Sequence, residues 1–379
     1  MHADTKYAVA LHKVPGFGRV RFGLLEQRFG SLEDAWHARD TALRSSGLDA
    51  KALEALLQAR PRISPDAEIE RLEHFQTQAL TIHDDGYPKC LKEIYDPPPV
   101  LYIRGSLIPD EWYVTIVGTR GITAYGREVA IRLASDLARS KVTVASGLAR
   151  GVDAVAHQAA LDVGGRTIAV QACGLDMVYP PSHASLARRI VEQGALVSDY
   201  PLGTKPRPEF FPRRNRILAG LALGTLVIEA PESSGALITA KFALEENREV
   251  FAVPGSILSP ASVGTNRLIQ AGAKAVLVVA DILEELNLQA TTTSTPAQQL
   301  PLGLAPAAAD GPESVLLQHL SLEPLHIDEV RRVAGLPMSE VSSVLALLEL
   351  KGLIRQTSPL TYVLAQMISP SPVRGRGSG

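Results

Sequence analysis

Between about residue 79 and residue 288, short uninterrupted apolar runs alternate with amphipathic segments of helical period. Nine runs predict strands: ALTIH (79–83), VLYIRG (100–105), YVTIVG (113–118), VTVAS (142–146), RTIAVQ (166–171), ALVSD (195–199), TLVIEA (225–230), EVFAVP (249–254) and AVLVV (275–279). They are continuous rather than alternating, as expected of strands covered by helices on both faces. Between most of them lie GREVAIRLASDLARS, VDAVAHQAALDVG, HASLARRIVEQG, NRILAGLAL and SGALITAKFALEEN, all with helical spacing of apolar positions. Such alternation predicts an α/β fold with a doubly wound, mostly parallel sheet over 78–288.

The flanks have a different rhythm. Residues 1–77 read as an all-helical module, opening with TKYAVALHK, the turn VPGFG and RVRFGLLEQRF, a helical hairpin. Gly16 and Gly18 leave N–H groups free at a helix start, which suits either a phosphate or an ordinary hairpin turn. Residues 313–365 predict three helices and a small hairpin, the pattern of a winged helix. Its four cations, Arg331, Arg332, Lys351 and Arg355, face six acids, and the third helix has no basic residue before Lys351. A groove-reading helix needs basic and hydrogen-bonding side chains, so a protein-contact or regulatory role is favoured for this module. Residues 289–312, rich in Thr, Ala and Pro, predict a flexible linker, and 366–379 a disordered tail.

Composition narrows the functional classes. A chain of 379 residues, 46% hydrophobic and 21% charged, can hold two or three packed domains. Lysine and arginine number 38 against 40 acids, so net charge gives no argument for nucleic acid and any basic surface must be local. Two cysteines, Cys90 and Cys173, form no CxxC pair and fit a reducing compartment. The N-terminal residues lack the order of a secretion signal, and no apolar run reaches the roughly 18 residues of a membrane span. A soluble, cytoplasmic protein is expected. The nine histidines make no HxxxH or HExxH pattern, and GxGxxG, GxxxxGK[ST] and GxSxG are absent, so no metal or cofactor is expected.

In an open parallel sheet, ligands sit beyond the carboxyl ends of the strands. After VTIVG come Gly118, Thr119 and Arg120, offering close backbone approach, a hydroxyl and a guanidinium near a helix start. After VTVAS comes GLARGVD, in which Asp153 suits helix capping better than catalysis. After RTIAVQ come Cys173, read as a small buried residue, then Gly174, Asp176 and Tyr179. The richest stretch is 205–216, with Lys205, Arg207, Arg213, Arg214 and Arg216 against Glu209 alone, and with Phe210 and Phe211 between them. Guanidinium groups for phosphates beside rings for bases are what a single-strand groove needs. Ser233–Gly235 and Gly264–Asn266 are further helix starts that fit either phosphate cradles or simple caps.

The blocks G-T-R-x-x-T-x-Y-G, S-G-L-A-R-G-V-D, G-L-D-x-x-Y-P, F-P-R-R-N-R-I-L-A-G-L, V-I-E-A-x-x-x-S-G-A-L-I-T-A and V-P-G-(x)8-G-T-N-x-L-I-x-x-G-A occur in this order over about residues 83–285. Together they resemble the DNA-processing protein A (DprA/Smf) family. The resemblance implies an extended Rossmann-like domain, a helix-hairpin-helix- or SAM-like N-terminal module, and a homodimer that binds and protects single-stranded DNA. It implies no catalysis, and a role in helping to load RecA during natural transformation or recombinational repair. The family's DNA pocket carries over to Gly118, Thr119 and Arg120 and to Phe211, Arg213, Arg214, Asn215 and Arg216, with Lys205 and Arg207 extending the path. Arg120, Arg214 and Arg216 are expected on phosphates, Phe211 on a base or supporting the loop that does so, and Asn215 in ordering its loop. Ala222, Asp199 and His183 depart from the family's usual residues and receive no role. The rival reading is a nucleotide-binding hydrolase using Asp153, Asp176 and Glu229, although the PGGxGTxxE signature of one such family is missing.

Overall fold

The computed structural model describes residues 4–108, 110–288, 312–321, 324–351, 353–358 and 360–364. The expected tail 366–379, and the expected linker 289–312 apart from Pro312, lie outside the described residues. The chain divides into two compact units, 1–292 and 293–379.

The first unit opens with six helices, α1 (Thr5–His12), α2 (Arg19–Phe29), α3 (Leu32–His37), α4 (Asp40–Arg44), α5 (Ala50–Ala59) and α6 (Pro65–His74). Ser31, Asp49 and Ser64 cap α3, α5 and α6 by accepting from backbone N–H groups of the first turn. At the α1–α2 turn Gly16 has φ +82°, and the Arg21 guanidinium folds over it to its carbonyl while pairing with Asp49 at 2.8 Å. Leu11, Phe22, Leu25, Leu43 and Leu56 are buried in one cluster with Val100, Tyr102, Leu148, Leu175 and Leu196. The helical segment and one face of the sheet therefore share a core.

Nine strands follow: β1 (Gln78–Thr81), β2 (Val100–Gly105), β3 (Tyr113–Val117), β4 (Thr143–Ser146), β5 (Thr167–Val170), β6 (Ala195–Ser198), β7 (Gly224–Val227), β8 (Glu249–Ala252) and β9 (Lys274–Ala275). Their order is β1-β2-β6-β5-β4-β3-β7-β8-β9. β1–β2 and β2–β6 pair antiparallel, and the other six neighbouring pairs are parallel. The sheet is thus mixed and mostly parallel. The helices between and beyond the strands are α7 (Lys89–Lys92), α8 (Ala124–Arg139), α9 (Val152–Asp162), α10 (Ala184–Gln193), α11 (Phe210–Leu221), α12 (Gly235–Glu245), α13 (Val263–Gln270) and α14 (Val279–Glu285). Every residue of β3 to β7 is buried, which explains the unbroken apolar runs of the sequence.

Two elements differ from the sequence expectation. The valines of 275–279 do not make a five-residue strand: β9 ends at Ala275, and the Asp281 carboxylate accepts the N–H groups of Leu277 at 2.8 Å and Val278 at 3.0 Å to start α14. Helix α11 begins at Phe210, five residues before the apolar periodicity does. Pro212 is tolerated there because first-turn N–H groups have no intrahelical acceptor.

In the second unit, α15 (Pro312–His319), β10 (Leu325–His326), α16 (Ile327–Ala334), α17 (Met338–Leu350), β11 (Ile354–Ser358) and β12 (Thr361–Leu364) form a winged helix. Its sheet runs β10-β12-β11, all antiparallel; the two-residue β10 lies where the sequence predicted only the start of a helix. Leu316, Val330, Val341, Leu345, Leu348 and Ile354 make the core. Two of its cations are paired, Arg332 with Glu329 at 3.0 Å and Lys351 with Glu313 at 2.7 Å.

Candidate nucleic-acid interface

The parallel strands aim their carboxyl ends at one edge, and there a cleft of about 600 Å³ opens. Gly118, Thr119 and Arg120 form one wall, Phe211, Arg214 and Asn215 of α11 another, and Ser233, Ser234 and Gly235 at the start of α12 a third. The two segments singled out in the sequence, about ninety residues apart, thus meet across one cleft.

The first wall is tightly fixed. The Thr119 N–H donates to the Glu229 carbonyl at 2.8 Å, while the Thr119 carbonyl accepts from Val152 at 3.2 Å. A side chain at 118 would stand 2.5 Å from Val152 Cγ2, so only glycine lets β3 turn this close to α9. Beyond it the exposed Arg120 guanidinium lies 5.9 Å from the centre of the Phe211 ring, which in turn packs 5.6 Å from Tyr179. An exposed cation over an aromatic face, with a second ring alongside, presents charge and stacking surface together. Tyr179, exposed on the loop after β5, was visible in the sequence only as a residue at the sheet edge.

The arginines of 205–216 do not act as one cluster. Lys205, Arg207 and Arg213 are exposed, with Arg207 lying over the Phe210 ring and 4.0 Å from Glu209. Phe210 stacks on Tyr200 at 4.5 Å, leaving Phe211 to the cleft. Arg214 is turned inward and only 4% exposed; its Nη1 donates to the carbonyls of Gly147, at 2.9 Å, and Val170. Burial lowers its pKa, against the nearby Asp153 carboxylate. A Cβ at 147 would come within 2.5 Å of this guanidinium, so the glycine provides its seat. Arg216 points away from the cleft altogether, pairing with Asp199 at 2.8 Å and Asp96 at 3.4 Å. The expectation that Arg214 and Arg216 face phosphates therefore meets a structure in which both are committed to protein acceptors.

The cause is helical geometry. At 3.6 residues per turn, positions 214 and 216 stand about 200° apart around α11, so a cation run that begins a helix is dealt to different sides. Asn215 lies between, accepting from Arg214 Nε at 3.1 Å and donating to the Gly235 carbonyl at 3.4 Å. It ties α11 to the start of α12, where the Ser234 hydroxyl caps the helix by accepting from Ala236. Helix N-termini with serine hydroxyls favour anions.

The carboxylates named for a hydrolase are all engaged. Glu229, buried, accepts from the Thr123 N–H at 3.0 Å and hydroxyl at 2.5 Å at the start of α8. Asp153 accepts from the Gly147 and Ala149 N–H groups at 3.1 and 3.2 Å; burial raises its pKa while Arg214 lowers it. Asp176 accepts from Gly203 at 2.8 Å and meets Arg71 at 3.4 Å. Cys173 is fully buried and its thiol is pushed up to about 12. Asp199 and His183, given no role in the sequence, have structural ones: Asp199 holds Arg216, and His183 Nδ1 donates to the Leu148 carbonyl at 2.9 Å. Among the described residues no group of three or more His, Cys, Asp or Glu could hold a metal, and no helix is long and apolar enough to cross a membrane.

Comparison with known proteins agrees with this architecture. Residues 78–287 match the family model of the DNA recombination-mediator protein A, and residues 301–358 that of the DprA winged helix domain. Protein Smf of Synechocystis is 37% identical over 95% of this chain and 99% of its own. DNA processing protein DprA of Bacillus subtilis is 45% identical over 56% of this chain and 73% of its own. Among solved structures, DNA processing protein A of Streptococcus pneumoniae is similar with a TM-score of 0.64 and 36% identity, over 74% of this chain and 98% of that one. The Helicobacter pylori protein, described for its single-stranded DNA binding mode, matches with a TM-score of 0.50 and 30% identity, over 56% of this chain and 97% of its own. The chain belongs to the DNA recombination-mediator protein A (DprA/Smf) family.

Proposed function

We propose that this protein binds single-stranded DNA at the carboxyl edge of its sheet, without catalysis, protects it, and promotes the loading of RecA onto it. The setting is natural transformation, recombinational repair or both, in the cytoplasm, with a homodimer joining two clefts and raising avidity on a long strand. The observation that carries this reading is the exposed Arg120 guanidinium over Phe211, beside Tyr179 and facing the capped start of α12. Family membership and the single-strand binding described for the Helicobacter pylori relative point the same way. Phe211 and Tyr179 supply stacking faces worth about 1–3 kcal/mol per base, and Arg120 with the exposed Lys205, Arg207 and Arg213 neutralises phosphates. Arg214 supports the floor from below. A nucleotide hydrolase would have to take Asp153, Asp176 or Glu229 from the donors that now hold them.

The test is fluorescence anisotropy of labelled oligo-dT with wild type and Arg120→Ala over a salt series, with matched duplex as control. Wild type should prefer the single strand and weaken with salt, and the substitution should cost roughly tenfold or more, as expected for a lost charge-assisted phosphate contact with its stacking partner. Binding indifferent to both Arg120 and salt would discard the cleft, and turnover of a nucleoside monophosphate would favour the hydrolase.

A further inference from the structure

Sheet order fixes loop order. From β6 to β8 the strands run β6-β5-β4-β3-β7-β8 and all are parallel, so their carboxyl-end loops stand in that sequence. Lys205 and Arg207 follow β6, Tyr179 follows β5, Arg120 follows β3, and Ser233 and Ser234 follow β7. From the loop after β6 to the loop after β7 there are four strand spacings of about 4.8 Å, a row of about 19 Å, the scale of a few nucleotides. Between Tyr179 and Arg120 stands the loop after β4, to which neither the charge pattern nor the resemblance assigns a contact.

That loop is built to hold one side chain outward. Leu148 is fully buried in the left-handed region at φ +58°, and its carbonyl accepts His183 Nδ1. Gly147 and Ala149 donate their N–H groups to Asp153. Gly151, at φ +80°, fits so closely that a Cβ there would strike the carbonyls of Thr119 and Arg120, and Val152 donates to the Thr119 carbonyl. The loop is thus fastened to the β5 side through His183 and to the β3 side through Thr119. Its exposed charge is Arg150, which has no ion pair among the described residues.

We infer that Arg150 is a phosphate contact, and that the single strand lies across the carboxyl edge, crossing the β-strands from the Lys205 side to the Ser234 side. The inference rests on the DNA-binding reading above. Backbone contact between the 118–120 and 147–151 loops fixes the spacing of Arg120 and Arg150, so the two guanidinium groups meet neighbouring phosphates of one strand. Phosphate contacts of this kind set register and add affinity without sequence preference.

The experiment uses the full chain and labelled oligo-dT, comparing wild type, Arg120→Ala, Arg150→Ala, Arg150→Lys and the control Arg139→Ala, each checked for an unchanged melting temperature. Arg139 is exposed in the last turn of α8, away from the carboxyl edge, and pairs with Asp136. Arg150→Ala should bind roughly three- to tenfold more weakly, with a slope of log K on log salt shallower by about 0.7, the value of one single-strand phosphate. Arg150→Lys should recover most of the loss, since a phosphate accepts a point charge, and Arg139→Ala should match wild type. Wild-type affinity and slope for Arg150→Ala beside an impaired Arg120→Ala would overturn the inference and leave the cleft standing. Weaker binding with an unchanged slope would overturn the phosphate assignment. Failure of wild type to bind oligo-dT would remove the DNA reading and this inference together.

Discussion

Helix α11 separates two clefts that differ in size and in the state of their charges. On the far side from the sheet-edge cleft lies a larger one, about 1070 Å³, between the N-terminal helices and the α12 end, lined by Arg19, Phe22, Glu26, His83, Asp96 and Arg216 among others. Apart from the exposed Arg19, its cations find partners: His83 meets Glu26 at 2.9 Å, and Arg216 meets Asp96 and Asp199. The smaller cleft has an exposed arginine over a ring and carboxylates already satisfied by N–H groups. Volume alone would choose the other side from the one proposed to bind DNA. What marks a site for an anionic polymer is cationic charge left without a protein partner.

Substitutions along α11 sharpen that contrast. The largest effect is expected from Arg214→Ala, which strips the Gly147 and Val170 carbonyls and leaves buried Asp153 without its cation. A loss of roughly 3–5 kcal/mol should appear in urea unfolding. The proposed DNA affinity should fall as well, because the 147–151 loop loses its anchor. Arg216→Ala is expected to cost about 3 kcal/mol, by leaving the Asp199 carboxylate buried and unpaired, yet to leave oligo-dT binding by the folded protein near wild type. Equal losses of DNA affinity in the two variants would erase the distinction between the clefts.

The smallest effect is a pH dependence beneath the smaller cleft. His157 is fully buried on α9; its Nδ1 donates to the Thr167 hydroxyl at 2.6 Å, and that hydroxyl in turn donates a hydrogen bond to the Val144 carbonyl. Burial, with His183 and Arg214 nearby, pulls its pKa from 6.5 down to about 3. The folded state holds this histidine neutral, so its contribution is whole above about pH 6.5 and declines as pH falls towards 3. Between pH 8 and pH 5 the loss should be about 2 kcal/mol, and His157→Asn should flatten that part of the urea-midpoint profile. A profile unchanged by the substitution would mean that His157 is not the titrating group.

Much of the fold was legible because strands buried on both faces leave continuous apolar runs: β2 to β6 and β8 lie within the predicted segments, and β7 starts one residue before its own. The valines before α14 misled for the same reason, since an apolar run does not say whether Asp281 will turn it into a helix. At the candidate site, the residues Gly118–Arg120 and Phe211 that line one cleft could be singled out from strand-end position and residue chemistry. The direction of Arg214 and Arg216 could not. It depends on α11 starting at Phe210, and Phe-Phe-Pro-Arg-Arg-Asn-Arg carries no apolar period to announce a helix. The role proposed for Arg150 was hidden differently: it rests on the loop after β4 standing between those after β5 and β3, which only the sheet order shows.

The core shared by the N-terminal helices and the sheet has a consequence for synthesis. Helix α6 ends at His74, but the sheet residues Tyr102 and Leu196, which help to cover the helical cluster, are made later, with β6 complete only at Ser198. At about 5–20 residues per second, the emerging helices wait roughly 6–25 s for their last apolar cover. For that interval the nascent chain presents the buried faces of α1 and α2 to whatever surrounds the ribosome exit, and early chaperone contact should concentrate there.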